Sequence, residues 1–337
     1  MRELNFGLWY DFRNPGNRID FETLYAQNLE QIAWAESLGF GSVWLTEHHF
    51  VEDGYTPSPL VLAAAIGQRT KTMRIGTNLM LLPLADPVRL AEDAAALSIL
   101  TDGRFDLGIG IGYRQLEFDY FGRKLSHRPS LMEEGVAILR QAWSGEPVQI
   151  QGKRFQVDGL TVAPKPRQAP RVLMGGMAEP AIARAARLGD GFLSTGGIGH
   201  DVYVDALQAQ GKPPEAGAIF AGHWGIIAPD PEREAATVGE YALYQTNEYV
   251  SWGAFGPPDT TPLFPDSTSA LRDGLYELHD ADSAVAALTD LLRAYPQIKD
   301  VHFWAQFPGE PVDSGSRRIE YMAQNVLPAV RRNVQAA

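Results

Sequence analysis

The segment Val43-Trp44-Leu45-Thr46-Glu47-His48-His49-Phe50 is the most informative stretch of this 337-residue chain. It begins as a β-branched, apolar and aromatic run typical of a buried strand, and it ends in an acid and two histidines. Glu-His-His does not suit an apolar core unless the strand emerges there at an open end. Parallel α/β barrels build their active sites from side chains at such strand ends. The segment therefore predicts a barrel strand that leads into an active site.

The rest of the chain alternates between strand-like and helix-like segments. Strands are predicted at residues 5–10, 42–46, 73–82, 105–109, 172–174, 191–194, 219–227 and 301–307. Helices are predicted at residues 21–38, 60–69, 87–100, 131–143, 181–188, 202–210, 232–250, 283–295 and 317–331. About eight strands that alternate with helices at this length favour a closed (β/α)8 TIM barrel over an open sheet. We therefore expect a single α/β domain over residues 1–337.

Two segments interrupt the alternation and predict insertions in the barrel. Residues 148–150 and 155–157 flank a turn at 151–153 and predict a β-hairpin. Residues 251–271 are rich in Gly, Pro, Thr and Asp and also contain Phe255 and Phe264. This second segment is predicted to be a mobile lid that closes over the site.

Composition excludes several classes of partner and site. Twenty-nine Lys and Arg against 41 Asp and Glu give a net charge of −12, and an acidic surface repels nucleic-acid backbones and anionic membranes. The absence of cysteine excludes disulfides, thiolate nucleophiles and cysteine-ligated metals. A strand-like run follows Met1 almost at once, and no secretory or membrane-spanning segment is evident. We therefore expect a cytoplasmic protein with no nucleic-acid or membrane partner.

Glycine-rich segments follow two of the predicted strands, at residues 108–114 and 174–177. Glycines at strand ends either simply make turns or let backbone N–H groups approach a phosphate, and a following helix N-terminus favours the phosphate. Gly175-Gly176 precedes Pro180 and a predicted helix, which suits a phosphate site. The first segment lacks the GxGxxG spacing of a dinucleotide site. Both interpretations, turn and phosphate site, remain open from spacing alone.

The adjacent histidines suggest an acid/base group rather than a metal site. Neighbouring strand residues point to opposite faces, so at most one of His48 and His49 faces the barrel mouth. No HExxH or similar spacing accompanies them, and no metal site is expected. His48 is the candidate acid/base or hydrogen-bonding group. Ordinary core packing is the competing interpretation for this residue.

Taken together, the motifs resemble those of the bacterial luciferase-like family of flavin-dependent monooxygenases over nearly the whole chain. The matching segments are GFGSVWLTEHHF (39–50), IGTN (75–78), GRFDLGIG (103–110), APKP (163–166), VLMGG (172–176) and AARLGDG (185–191). The resemblance implies a TIM barrel that binds reduced FMN as a diffusible cosubstrate supplied by a separate reductase. The reduced flavin then reacts with O2 at C4a, and the resulting C4a-peroxyflavin oxidises a small organic substrate. An apolar substrate is expected here, because the residues expected at the barrel mouth are aromatic: Trp9, Tyr10, Phe12, Phe50, Trp304 and Phe307. The family also implies a homodimer.

The resemblance also assigns roles to individual residues. His48 matches the histidine at the reacting face of the flavin, with Glu47 as a supporting residue at the cofactor. Asn78-Leu79 matches a non-proline cis peptide packed under the isoalloxazine ring. The loops that match the phosphate and ribityl sites contain Gly110, Tyr113, Gly175, Gly176 and Met177.

This chain departs from luciferase proper at the phosphate site. An arginine that contacts phosphate there falls at Ile111, and an acid-serine pair is replaced by Gly175-Gly176. Backbone N–H groups would then hold the phosphate, with Arg114 or Tyr113. The resemblance is thus to the FMN-dependent branch and does not imply light emission. Two alternatives remain: an F420-dependent oxidoreductase of the same fold, and a flavin-binding paralogue without activity.

Overall fold

A closed barrel of parallel strands is the centre of the structure, a computed structural model that describes residues 4–335. In chain order the strands are β1 (Asn5–Tyr10), β2 (Ser42–Leu45), β3 (Arg74–Thr77), β4 (Met80–Leu81), β5 (Phe105–Gly110), β6 (Val148–Gln151), β7 (Gln156–Leu160), β8 (Arg171–Gly175), β9 (Gly191–Thr195), β10 (Ile219–His223), β11 (Gly225–Ile227), β12 (Glu277–His279) and β13 (Ile298–Trp304). The barrel order is β3-β2-β1-β13-β10-β9-β8-β5, and β3 pairs back with β5. Within the described residues, eight parallel strands therefore close on themselves, which confirms the predicted TIM barrel.

The helices form the outer layer around this barrel. They are α1 (Phe21–Ser37), α2 (Pro59–Arg69), α3 (Pro87–Leu100), α4 (Gln115–Tyr120), α5 (Arg128–Ser144), α6 (Glu179–Leu188), α7 (His200–Ala209), α8 (Pro231–Trp252), α9 (Ser267–Asp273), α10 (Ala281–Ala294), α11 (Val312–Tyr321) and α12 (Leu327–Gln335). Side-chain caps explain several starting points: Asp20 accepts the Thr23 N–H at the start of α1, and Asp86 does the same for the first turn of α3. No helix among residues 4–335 combines the length and apolarity needed to cross a bilayer.

The two-residue period of the strands divides the core into an inner and an outer layer. On β1, Trp9 points into the barrel and belongs to the inner aromatic cluster with Trp44 and Trp304. Tyr10 points outward, where its hydroxyl donates to Gln31 of α1. Tyr10 was expected at the barrel mouth together with Trp9, and this expectation is wrong because successive strand residues face opposite layers.

Several predicted elements are divided in the structure. The predicted strand 73–82 breaks at the cis peptide Asn78-Leu79, between β3 and β4. The predicted strand 219–227 divides at Trp224, because β11 leaves the barrel to pair with β12. The predicted closing helix 317–331 consists of α11, a π-helical turn at Met322–Val326 and α12. Residues 1–3 and 336–337 of the predicted domain lie outside the described residues.

The two predicted insertions are present in different forms. The hairpin is confirmed, since β6 and β7 pair antiparallel with Ile150 opposite Val157. The predicted lid at 251–271 is more regular than expected: α8 extends to Trp252, and α9 begins at Ser267. Only the part between these helices lacks regular structure. Closure of this segment over the site stays a prediction.

Candidate active site

A cavity of about 350 Å³ is lined by residues at and just beyond the carboxyl ends of the barrel strands. Seven of the eight residues predicted for the site line it: Glu47, His48, Asn78, Tyr113, Gly175, Gly176 and Met177. The eighth, Gly110, ends β5 beneath the cavity, where a Cβ atom would lie 2.4 Å from the Leu79 side chain. Its neighbours Ile111 and Gly112 line the cavity in its place. The structure thus brings the predicted residues together, while their functional roles stay predictions.

His48 is held from both ring nitrogens. Its Nδ1 lies 2.8 Å from Oε1 of Glu117, and its Nε2 lies 3.1 Å from the Tyr113 hydroxyl. An ionised carboxylate only accepts hydrogen bonds, so Nδ1 carries the proton and donates to Glu117. In the neutral imidazole, Nε2 is then the acceptor, and it belongs to a side chain that lines the cavity. The arrangement suits a group that takes up a proton at Nε2.

Glu117 is a residue of the site that was not foreseen, because no helix is predicted between residues 109 and 131. The side chain is completely buried and also accepts the His49 backbone N–H at 2.9 Å. Burial raises the pKa of Glu117, but its hydrogen bond with His48, the His48 charge, the His49 N–H and the Arg114 charge together lower the pKa below its ordinary value. Glu117 is therefore an ionised orienting group for His48. Its Oε2 has no hydrogen-bond partner within residues 4–335.

Glu47 and His49 form a second pair beside the cavity. Glu47 accepts the Leu81 N–H through one oxygen, and its other oxygen lies 3.1 Å from Nε2 of His49. The His49 ring turns away from the cavity and stands 4.8 Å from the Phe121 ring. As predicted, only one of these two histidines lines the cavity. Strand alternation is not the reason, because β2 ends at Leu45 and Thr46, Glu47 and His48 all line the cavity. Glu47 holds the backbone after the cis peptide in position and lines the cavity as well.

The cis peptide that the resemblance implies at Asn78-Leu79 is present. The backbone carbonyl of Asn78 accepts a hydrogen bond from Trp9 Nε1 at 3.1 Å, and the side-chain Nδ2 of Asn78 lies 2.8 Å from His302 Nε2. His302 Nδ1 in turn lies 2.9 Å from Asp300 Oδ1, which also accepts from Trp44. A buried polar chain through the barrel interior therefore fixes this turn. These contacts give His302 a structural role in the barrel interior.

Another part of the cavity lining has the features of an anion site. Gly176 and Met177 lead into α6, whose first turn has no side-chain cap. A Cβ atom at Gly176 would lie 2.6 Å from the Ala181 Cβ, so glycine lets the loop pack directly on the helix. Arg128 lines the cavity and donates to the Gly112 carbonyl at 2.8 Å. Backbone donors, a helix N-terminus and a guanidinium are the groups that bind phosphate.

Arg114 does not take the role that was considered for it. Its guanidinium donates to the His49 carbonyl and lies 4.9 Å from the centre of the Trp252 ring. Of the described residues that line the cavity, Arg128 is the one arginine. Arg114 and Arg128 both lie between the fourth barrel strand and the helix predicted at 131–143. The sequence does not show which one faces inward, because that depends on how α4 and α5 pack.

Aromatic side chains form the remaining wall beside His48. Tyr55 and Tyr249 share a hydrogen bond of 2.8 Å between their hydroxyls, and the Trp252 ring lies 4.9 Å from the His48 ring. Phe255, from the predicted lid, lines the cavity too. Phe50 was expected at the mouth but is 52% exposed and packs outside the cavity against Tyr120. The site therefore combines a part with the features of an anion site, an apolar part and a histidine whose Nδ1 donates to Glu117.

Comparisons with known proteins agree with this architecture. A sequence model of the family described as luciferase-like monooxygenase matches residues 4–250. An F420-dependent glucose-6-phosphate dehydrogenase of Amycolatopsis mediterranei is 30% identical over 190 residues, which cover 53% of this chain and 56% of the relative. The chain thus spans about half the length of the curated relatives it matches.

Two solved structures share the fold over nearly the whole chain. The monooxygenase RslO1 of Streptomyces bottropensis superposes with a TM-score of 0.83 at 23% identity, covering 96% of this chain and 99% of that one. The oxygenating constituent of 3,6-diketocamphane monooxygenase of Pseudomonas putida, solved with FMN, gives a TM-score of 0.79 at 19% identity, with coverages of 97% and 98%. At these identities the likeness shows the fold alone.

Proposed function

The chain belongs to the luciferase-like monooxygenase family, and we propose that it is an FMNH2-dependent monooxygenase that oxidises an apolar small organic substrate. The observation that carries the proposal is that His48, the Gly176-Met177 loop, Arg128 and several apolar side chains all line one cavity. Bound reduced FMN supplies the electrons that activate O2. The chain's own residues bind the flavin, exclude water and hold a proton acceptor at a defined place.

Binding of the flavin phosphate is assigned to the loop before α6 and to Arg128. The backbone at Gly176 and Met177 approaches the cavity, and the N-terminal end of α6 carries a favourable dipole for an anion. Glu179, in the first turn of α6, opposes this charge but is exposed to solvent. Arg128 supplies a guanidinium whose charge offsets that of the phosphate.

The middle of the cavity suits a flat aromatic ring. Trp9, Leu79 and Leu193 contribute apolar surface there, with the Asn78-Leu79 turn held by the buried chain to His302. Cofactor sites are mostly apolar, and a small number of polar groups fix the orientation of the ring. We assign the ring to this part of the cavity because it connects the anion end to His48.

His48 is proposed as the acid/base group of the reaction. Glu117 keeps the proton on Nδ1, so Nε2 accepts a proton and later returns it. The Tyr113 hydroxyl donates a hydrogen bond to this nitrogen. When substrate enters, it either gives up this bond or donates to the substrate instead. Burial holds the pKa of Tyr113 well above its ordinary value, so Tyr113 stays a neutral donor.

Exclusion of water is the second task of the site. The wall of Tyr55, Tyr249 and Trp224 is buried, and Phe255 reaches in from the segment after α8. Activated oxygen species are lost to side reactions when water and stray protons reach them. Closure of the segment around Phe255 would complete the enclosure.

Oxygen kinetics test the proposed reaction. Photoreduced FMN is bound to the protein without oxygen and then mixed with aerated buffer in a stopped-flow spectrometer. The proposal predicts a protein-bound species, distinct from reduced and oxidised flavin, that outlasts the autoxidation of free reduced FMN. Reoxidation at the rate of free flavin, with no such species, would contradict it.

A hydride-transferring F420 enzyme is the second candidate, because F420-dependent dehydrogenases are among the relatives of this chain. The cavity also offers an apolar ring site beside a histidine, which a deazaflavin can use. F420 carries a polyanionic tail, however, and Arg128 is the one arginine among the described residues that line the cavity. The charge of the site therefore favours the single phosphate of FMN.

The proposal includes partners of the reaction. We propose that a separate reductase supplies the reduced flavin and that the enzyme acts in the cytoplasm. We also propose a homodimer through α2 and α3, where Val61 is 70% and Leu100 is 55% exposed. Light scattering tests the dimer by measuring the mass of the wild type and of Val61→Asp. A wild-type protein with the mass of a monomer, and the same mass in Val61→Asp, would contradict the dimer.

A further inference from the structure

A second group of metal-ligating side chains lies apart from the cavity. It contains His223, Glu277 and His279, and one potential ligand atom from each lies within 4.8 Å of the others. None of the three lines the cavity. The group was not foreseen from the sequence, because 54 positions separate His223 from Glu277.

The fold explains how these residues meet. His223 ends β10 and faces out of the barrel, where its ring stands 5.4 Å from Phe303. Glu277 and His279 are alternate residues of β12 and therefore share one face of that strand. Parallel pairing of β11 with β12 sets Gly225 opposite Glu277, directly after the turn that follows His223.

Glycine at position 225 is part of this arrangement. A Cβ atom there would lie 2.5 Å from Nε2 of His223, so any other residue would push the imidazole away. The His223 and His279 rings lie 6.3 Å apart and are inclined by only 26°. The backbone thus leaves space for both rings on the same side of the small β11–β12 sheet.

Both histidines retain a buried nitrogen without a partner. Nε2 of His223 and Nδ1 of His279 make no hydrogen bond within the described part of the chain. Nε2 of His279 already lies 3.0 Å from the Glu277 carboxylate. A buried polar atom without a partner costs about 1–3 kcal/mol. A ligand that accepts electron pairs from imidazole would remove this cost.

We propose that His223, Glu277 and His279 bind a divalent transition-metal ion, of which Zn²⁺ is the representative. Two imidazoles and one carboxylate are a donor set that suits this ion. The Glu277 side chain is 59% exposed, which leaves room for water as a further ligand. Zinc–nitrogen distances of about 2.0–2.1 Å require only small inward movements of the three side chains.

The ion would fasten β12 to the end of β10. Trp224, the residue after His223, lines the cavity, and its ring stands 5.2 Å from the ring of Tyr276, directly before β12. Metal binding therefore steadies one wall of the cavity and the end of the segment that begins after α8. The site is structural in this proposal and does not depend on which cofactor the cavity takes.

Titration of the full chain with Co²⁺ tests the site. The tag-free protein is dialysed against EDTA, and visible absorption is recorded as Co²⁺ is added and then displaced by Zn²⁺. We expect one equivalent to bind with d–d bands of a nitrogen-ligated ion, and Zn²⁺ to raise the melting temperature. No binding at millimolar Co²⁺ would overturn the proposal.

Variants assign the binding to these side chains. Loss of a second-shell partner weakens metal sites about 10–100-fold, so His279→Ala and Glu277→Gln, which remove direct ligands, should weaken binding at least as much. Glu277 is exposed, so its variant is expected to fold, and circular dichroism checks both proteins. His127→Ala, at a partly buried histidine outside the group, should bind like the wild type. Binding that both ligand variants retain would overturn the assignment.

Discussion

Nδ1 of His48 lies 2.8 Å from the buried carboxylate of Glu117, which follows it by 69 positions in the chain. The two residues come from the loop after β2 and from α4, so the barrel closure brings them together. The contact selects the tautomer of His48 and leaves Nε2 as the acceptor at the cavity. This pair is the chemical centre of the proposed site, and the first two predictions address it.

Removal of the imidazole should separate binding from chemistry. His48→Ala is expected to bind FMN almost as well as the wild type, because the proposed phosphate contacts come from Arg128 and the Gly176-Met177 loop and not from His48. Turnover should fall about 10²-fold or more, as for loss of a general acid/base. Flavin fluorescence and substrate oxidation measure the two quantities. His127→Ala is the matched control, and wild-type turnover in His48→Ala would remove His48 from the mechanism.

Replacement of the orienting acid should act through His48. In Glu117→Gln the side-chain amide can donate as well as accept a hydrogen bond, so His48 Nδ1 no longer has to carry the proton. The tautomer with the acceptor at Nε2 is therefore less favoured. We expect kcat to fall about 10-fold or more, as for weakened acid/base catalysis, with an unchanged KM for reduced FMN. Asp119→Asn changes an exposed acid on the same helix and should leave kcat unaltered. Equal kcat in both variants would contradict the positioning role.

Loss of the cavity arginine should be detected only by a phosphorylated flavin. A hydrogen bond to a charged group contributes about 1.5–3 kcal/mol, so Arg128→Ala should weaken FMN binding about 10–100-fold. Riboflavin has no phosphate, and its affinity should change little. Arg123→Ala is the control, since Arg123 packs over Phe155 outside the cavity lining. Calorimetry with both flavins decides the matter, and equal losses for FMN and riboflavin would place the phosphate elsewhere.

A buried acid behind the site should make stability depend on pH. Burial, with a contribution from Asp53, raises the pKa of Asp11 to about 7, although Arg13 opposes the shift. The folded state then binds a proton that the unfolded chain releases near pH 4. The contribution of Asp11 to the free energy of unfolding is therefore fully present below pH 4. It declines by about 1.4 kcal/mol per pH unit as the pH rises towards 7.

The variant Asp11→Asn removes this titration and should flatten the pH dependence. The free energy of unfolding is measured in urea at pH 5 and pH 7 for the variant and the wild type. Asp259→Asn, at an exposed acid, should retain the wild-type slope. The same slope in Asp11→Asn and the wild type would show that Asp11 is ionised throughout.

The barrel itself was predictable from local pattern. Apolar runs such as that at Val43 and glycine stops such as Gly39 repeat along the chain, and eight strand-helix pairs have few alternative arrangements. The division of the strand at 219–227 was not predictable, because strand-forming residues lie on both sides of His223 and Trp224. Only the pairing of β11 with β12, a partner some fifty positions away, draws it out of the barrel.

The site was predictable where a residue is adjacent to a strand end. Glu47, His48 and Asn78 directly follow barrel strands, so their location at the cavity follows from the topology. Glu117 lies on a six-residue helix in a loop, and its acid looks like any solvated charge until burial is known. Arg114 rather than Arg128 was the arginine considered for the phosphate, and only the packing of α4 and α5 shows that Arg128 is the one that lines the cavity.

Competition between the two reduced cofactors tests the central claim most directly. Under strict exclusion of oxygen, the affinities of the wild-type protein for reduced FMN and reduced F420 are measured by the same equilibrium titration. The account predicts saturable 1:1 binding of reduced FMN at least about 10-fold tighter than that of reduced F420, a preference of about 1.4 kcal/mol. Tight binding of reduced F420 with no binding of reduced FMN would contradict it.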